Sequence, residues 1–105
     1  MAYLSGIRNS GVRLPALPEG SEPSWHLFPT WIDADRRDAF LGHVQAGVHY
    51  PIAIPDQEAL CRVPFEVPDG CENARGLCAS EASLPIHPYL NDGEVAEVIA
   101  AVNAF

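Results

Sequence analysis

The sequence predicts a single small soluble α+β domain. Three observations carry that expectation. Aliphatic and aromatic residues make up 48% of the 105 residues and charged ones only 19%, a balance that favours a globule over disorder. The length suits one modest core. Short β-type apolar segments interleave with segments of helical period, with no tandem repeat and no glycine-rich phosphate loop.

Charge and cysteine usage limit the partners and the compartment. The formal charge is −8, from 14 acidic and 6 basic residues. That sign repels phosphate backbones and anionic lipid heads, so neither nucleic acid nor a membrane surface is an expected partner. All the basic residues are arginines, Arg8, Arg13, Arg36, Arg37, Arg62 and Arg75, and the chain contains no lysine. Cys61, Cys71 and Cys78 are odd in number and lack CxxC spacing, so plain thiols in a reducing compartment are expected. The segment "MAYLSGIRNSGVRLP" lacks the basic-then-apolar pattern of a secretory signal. No stretch approaches the roughly 20 apolar residues of a membrane span. A cytoplasmic protein is the resulting expectation.

The elements follow in order. "RLPALPEGSEPS", residues 13–24, is an irregular connector, because its prolines lack an N–H and hold φ fixed. "WHLFPTWID" reads as a strand with a bulge or an edge position at Pro29. Asp35 is placed to cap a helix from Arg36 to about Gln45, with Phe40, Leu41 and Val44 on one side and Gly47 as its end. Val48, Tyr50, Ile52 and Ile54 then alternate with period two, predicting a second strand that Pro51 confines to an edge. "PFEVPDG" is turn material, and "CENARGLCASEA" is a weak helix further weakened by Gly76. "SLPIHP" predicts a third strand closed by Pro88. The clearest element is the last helix: Asn91 with Glu94 three residues on is a capping-box pattern, and Val95, Val98, Ile99, Val102 and Phe105 share one face.

Few constellations point to chemistry. His26, His43, His49 and His87 show neither H-x-H nor H-x-x-x-H spacing, so no metal site is indicated. No G-x-S-x-G elbow marks a hydrolase nucleophile. In "HYP", His49 and Tyr50 fall on adjacent strand positions whose side chains point to opposite faces, so one of them should meet a cleft or solvent. A plain structural role for the pair stays open at this point: a surface or boundary histidine beside a core tyrosine with its hydroxyl bonded. An acid–base pair of His49 with Asp33 is a further alternative, for which the spacing offers no sign that the two groups meet.

Read in order, "GVRLP", "WHLFPTWID", "RRDAF", "GVHYP", "SLPIHPYLND" and "EVAEVIAAVNAF" resemble the C-terminal portion of the DegT/DnrJ/EryC1/StrS sugar aminotransferases. The resemblance runs from about Gly11 to Phe105 and covers about the last third or quarter of such an enzyme. It implies a small antiparallel sheet of about three strands with helices packed on one face, like the C-terminal domain of fold-type I aminotransferases. Family members hold pyridoxal phosphate in a large domain as a lysine Schiff base and transfer an amino group, usually from glutamate, to a nucleotide-linked keto sugar. Without a lysine this chain alone is expected to bind no cofactor and to contribute no catalytic residue. The "VHYP" match makes His49 and Tyr50 candidate substrate contacts, while His26 and His87 fall in motifs whose family role is packing.

The departures from the family pattern are specific. Between "RRDAF" and "GVHYP" the chain is shorter by roughly five residues, more than one helical turn. Gln57 matches, but Pro55 stands where the family has a second histidine. The helix joining the two domains is reduced to "AYLSGIRNS", too short to be stable unaided. The leading expectation is a domain-sized piece of a sugar aminotransferase, as a truncated gene, a split enzyme's smaller half or a pseudoenzyme remnant. Its implied partners are a lysine-bearing large domain or further copies of itself, and a nucleotide sugar. The alternative is a repurposed, non-catalytic binding or interaction module, expected to self-associate through its uncovered face.

Overall fold

The computed structural model describes all 105 residues, Met1–Phe105. Helix α1 (Ala2–Gly6) is followed by strand β1 (Phe28–Trp31) and helix α2 (Arg37–Val44). Two single turns of 3-10 helix, Ile54–Asp56 and Glu58–Leu60, lead to helix α3 (Glu72–Ser80), strand β2 (Glu81–Leu84) and helix α4 (Asp92–Ala104). Residues 14–24 carry neither helix nor strand.

The strands pair antiparallel, Phe28 opposite Leu84, Pro29 opposite Ser83, Thr30 opposite Ala82 and Trp31 opposite Glu81. Single bridges extend this ribbon on both sides, Arg13 to Trp31 and Gly47 to Ser83. Ser83 gives both its backbone groups to Gly47, at 2.9 and 3.0 Å. The Pro29–Ser83 pair is therefore a non-hydrogen-bonded one, and the missing proline N–H costs the ladder nothing there.

Period-two alternation gives the ribbon two different faces. Phe28, Thr30, Ala82 and Leu84 are buried toward the core, where they join Tyr3, Ile7, Val12, Ile32, Phe40, Val44 and Val102. Helices α1 and α2 pack with α4 on this side. The capping box of α4 is present: the Glu94 N–H donates to Asn91 Oδ1 at 3.0 Å and the Asn91 N–H to Glu94 Oε2 at 2.9 Å. Its apolar face meets the core through Val102, with Val95, Val98, Ile99 and Phe105 around it. The five-residue α1 survives by docking. Tyr3 is 1% exposed, its hydroxyl donates to Pro85 O at 2.7 Å, and a Cβ on Gly6 would come within 2.8 Å of Ile99 Cδ1. Asn103 ties the same turn down, accepting from Arg8 N–H and donating to Gly6 O.

Four expectations change. The strand expected over Val48–Ile54 is absent, so the sheet has two strands with a bridge on each side. Pro51 and Pro55 lack the N–H groups a ladder needs, and beyond Gly47 no backbone runs alongside. Tyr50, Ile52 and Ile54 are exposed as a result. Asp35 caps nothing: the chain enters α2 through a turn in which the Arg36 N–H donates to Asp33 O at 2.9 Å, and no side chain caps the helix. Gln45, not Gly47, takes the left-handed conformation that ends α2, at φ 54°, because Gly47 is already bound to Ser83. The last strand starts at Glu81, directly out of α3, and stops before Pro85, leaving His87 outside it.

The chain measures 49 × 34 × 26 Å with a radius of gyration of 15.7 Å. A compact domain of this length has about 13 Å. Two stretches lie outside the core: within residues 50–70 only Ala53 is buried, and within residues 13–27 none is.

Candidate functional site

The face of the ribbon turned away from the core carries Pro29, Trp31, Glu81 and Ser83. Against it comes the segment that begins at Gly47. After the Gly47–Ser83 bridge, the His49 N–H donates to Glu81 Oε2 at 2.7 Å. The other carboxylate oxygen, Oε1, accepts the Ser83 hydroxyl at 2.5 Å. Glu81 is 5% exposed, so this bond lies at the floor of the site. A Cβ on Gly47 would sit 3.2 Å from His49 Cε1, so the bare Cα is what lets the imidazole lie there.

His49 and Tyr50 project from this anchor together. The peptide between them is cis. Their rings meet edge to face, centroids 5.6 Å apart at 81°, and Tyr50 is 69% exposed. Opposite faces, as adjacent strand positions would give, are not what forms, because the segment is not a strand. The core position considered for Tyr50 is likewise not found. Neither ring makes a hydrogen bond within the chain, which leaves the phenol and both imidazole nitrogens available. Together with Pro29, Trp31, Leu77, Cys78 and Glu81 they line a depression of about 270 Å³. Apolar walls with a few polar groups are the usual make-up of a small-molecule subsite.

The segment is also stapled at its far end. Arg75 on α3 forms a two-pronged pair with Asp56, at 2.6 and 2.7 Å, and also contacts Glu72 at 2.9 Å and the Gly70 carbonyl. Hydrogen bonding to Arg75 holds the Asp56 carboxyl below its ordinary value, and the same pairs raise Arg75.

The remaining histidines and acids fall elsewhere. Asp33 lines a separate depression with Ser10, Gly11 and Arg13, so the His49–Asp33 pair does not form. His26 and His87 are exposed rather than packed; His87 Nδ1 accepts the Tyr89 N–H at 3.2 Å. His43 Nε2 lies 3.0 Å from Ala101 O, linking α2 to α4. No three of the His, Cys, Asp and Glu side chains gather at one point. The residue that sequence reasoning missed is Glu81. Its signal was the Glu81–Ser83 spacing, two polar groups on one face of a strand whose other face is Ala82 and Leu84.

Comparison with known proteins gives a consistent result. Residues 2–103 match the DegT/DnrJ/EryC1/StrS aminotransferase family. The chain is 31% identical, over 98% of its length, to dTDP-3-amino-3,6-dideoxy-α-D-galactopyranose transaminase of Aneurinibacillus thermoaerophilus, of which it spans 28%. It superposes with a TM-score of 0.84 on S. venezuelae DesV, whose crystal structure holds a ketimine intermediate, at 30% identity over 98% of this chain and 29% of that one. The aminotransferase TlmJ of Streptoalloteichus hindustanus gives a TM-score of 0.75 at 25% identity, over 97% of this chain and 28% of that one. The chain thus spans less than a third of the length of these relatives. With the strings around Gly47–Pro51 and Ser83–Pro88, the two-sided ribbon and the capped final helix all in place, the chain belongs to the DegT/DnrJ/EryC1/StrS aminotransferase family.

Proposed function

We propose that this domain forms one wall of the substrate cleft of a sugar aminotransferase, with His49 and Tyr50 as its contacts to a nucleotide-linked sugar. The observation that carries the reading is the pair of rings held at the exposed rim of an apolar depression with their hydrogen-bonding atoms unused. Sugars offer hydroxyls to such atoms and apolar ring faces to such walls. Pyridoxal phosphate does not fit the residues present, because the chain has no lysine to condense with the cofactor aldehyde. Cofactor and lysine belong, on this reading, to a large domain that completes the cleft, and the chain by itself does not catalyse transamination. The free thiols of Cys61, Cys71 and Cys78 suit a reducing cytoplasm.

The experiment is to combine the chain with a lysine-bearing large domain of the family and follow amino transfer to a dTDP-linked keto sugar. Activity in the mixture, none in the chain alone, and a loss of about tenfold or more in apparent substrate affinity in His49→Ala are expected, the last from one lost charge-assisted or paired hydrogen-bond set. No association and no gain of activity would sink the reading.

One observation favours the second reading, a non-catalytic interaction module. Ile52, Ile54, Val63 and Phe65 stand exposed on the 50–70 segment, where a partner or second copy would cover them. Light scattering separates the two: a chain that self-associates through this segment and ignores the large domain follows the second reading, and a monomer that docks the large domain follows the first.

A further inference from the structure

We propose that Glu81 is the positioning residue of the His49–Tyr50 segment, acting through the backbone of His49 and not through either ring. Glu81 opens β2 opposite Trp31, and strand alternation puts its side chain beside that of Ser83, away from the core. Both carboxylate oxygens are engaged, Oε1 by the Ser83 hydroxyl at 2.5 Å and Oε2 by the His49 N–H at 2.7 Å. No arginine pairs with it, since the ion pairs of the chain are Arg37–Asp38, Arg75–Asp56 and Arg75–Glu72. Neutral donors alone therefore compensate a carboxylate that is almost fully buried.

Burying a carboxylate is unfavourable unless its lone pairs are met, and a β-branched apolar residue would close this face of the strand without that penalty. The fold alone does not call for a carboxylate here. A carboxylate can, however, reach off the strand to take an N–H from a segment that has no ladder of its own. That is the local situation. The chain pairs with β2 at Gly47, and two residues later the His49 N–H finds Glu81 instead of a backbone carbonyl. From Tyr50 to Ile52 the residues are exposed. Gly47 and His49 are thus two successive anchors, and the second sets the point from which both rings leave the surface. Only the consequence for ligand binding rests on the proposed substrate contact; the anchoring itself does not.

The test is amide exchange by NMR on the full chain, in wild type, E81A and E81Q, followed by titration with dTDP-3-amino-3,6-dideoxy-α-D-galactopyranose. Glutamine keeps one oxygen for the His49 N–H, and its amide can donate to the Ser83 hydroxyl, which then turns to accept. In E81A the His49 amide should exchange at least about tenfold faster while the Val102 amide in α4 is unchanged, the cross-peaks between the two rings should fade, and E81Q should restore both. If E81A does not fold, E81V keeps a strand-favouring side chain and reads the same bond. Unchanged His49 exchange in the folded variants overturns the proposal, as does equal acceleration at His49 and Val102, which would make Glu81 an ordinary part of the fold. Ligand-induced shifts at His49 and Tyr50 that weaken in E81A and return in E81Q are expected. If the ligand shifts neither residue in wild type while E81A still frees the His49 amide, the substrate reading fails and the positioning role stands.

Discussion

Replacing Tyr3 by alanine removes the side chain that makes a five-residue helix part of the fold. The ring is 1% exposed and meets Phe28 edge to face at 5.0 Å, and its hydroxyl donates to Pro85 O, 82 residues away, at 2.7 Å. Burial pushes the phenol's pKa above its ordinary value, so the donor is fully protonated at neutral pH. Deleting a buried aromatic ring costs about 3–5 kcal/mol, and the lost hydroxyl bond alone about 1 kcal/mol. Unfolding entropy scales with length, and 105 residues correspond to about 0.22 kcal/mol per kelvin. Tyr3→Ala should therefore lower Tm by about 18 °C, and Tyr3→Phe, which keeps the ring, by about 5 °C. Against a total stability of about 5–15 kcal/mol the alanine variant is severely weakened. Thermal and urea unfolding followed by circular dichroism measure both. If Tyr3→Ala melts within 5 °C of wild type, α1 unfolds independently of the sheet and helices, and the account of how so short a helix persists is wrong.

Two further outcomes follow from other contacts. Asn91→Ala removes the side-chain oxygen that accepts the Glu94 N–H, while the residue-91 N–H that bonds Glu94 Oε2 is kept, and should cost about 1 kcal/mol in urea unfolding, with the ring contact of His49 and Tyr50 unaltered by NMR. Arg75 holds the Asp56 carboxyl below its ordinary value, so the staple's contribution is full above the ordinary carboxylate range and is lost only as pH falls through the lowered value. Arg75→Ala should return the Asp56 titration, read by carbon chemical shifts, to the ordinary range. A midpoint that does not move would mean that the pair does not form in solution.

Much of the helical part was legible because its signals are local. Asn91 and Glu94 satisfy each other's backbone within one turn, and the apolar stripe from Val95 to Phe105 needs only a core to face. The ordered strings from "GVRLP" to "EVAEVIAAVNAF" carried the family resemblance, and "VHYP" among them pointed to His49 and Tyr50, which the structure does bring together at one rim. What those strings could not carry was the arrangement of the pair. A period-two pattern over Val48–Ile54 reports side-chain polarity, whereas a strand also requires a facing backbone, and only Gly47 has one.

Composition and local pattern determined that this chain is a small α+β unit without a lysine, with a capped final helix and a connector of prolines. Tertiary structure decided which of the apolar alternations became sheet, that Tyr3 and Asn103 hold a helix too short to stand alone, and that a glutamate on β2 reaches the His49 N–H. Those are contacts between residues 32 to 97 positions apart. Local sequence encodes the conformations a segment can adopt, but a hydrogen-bond partner that distant exists only once the chain has folded around it.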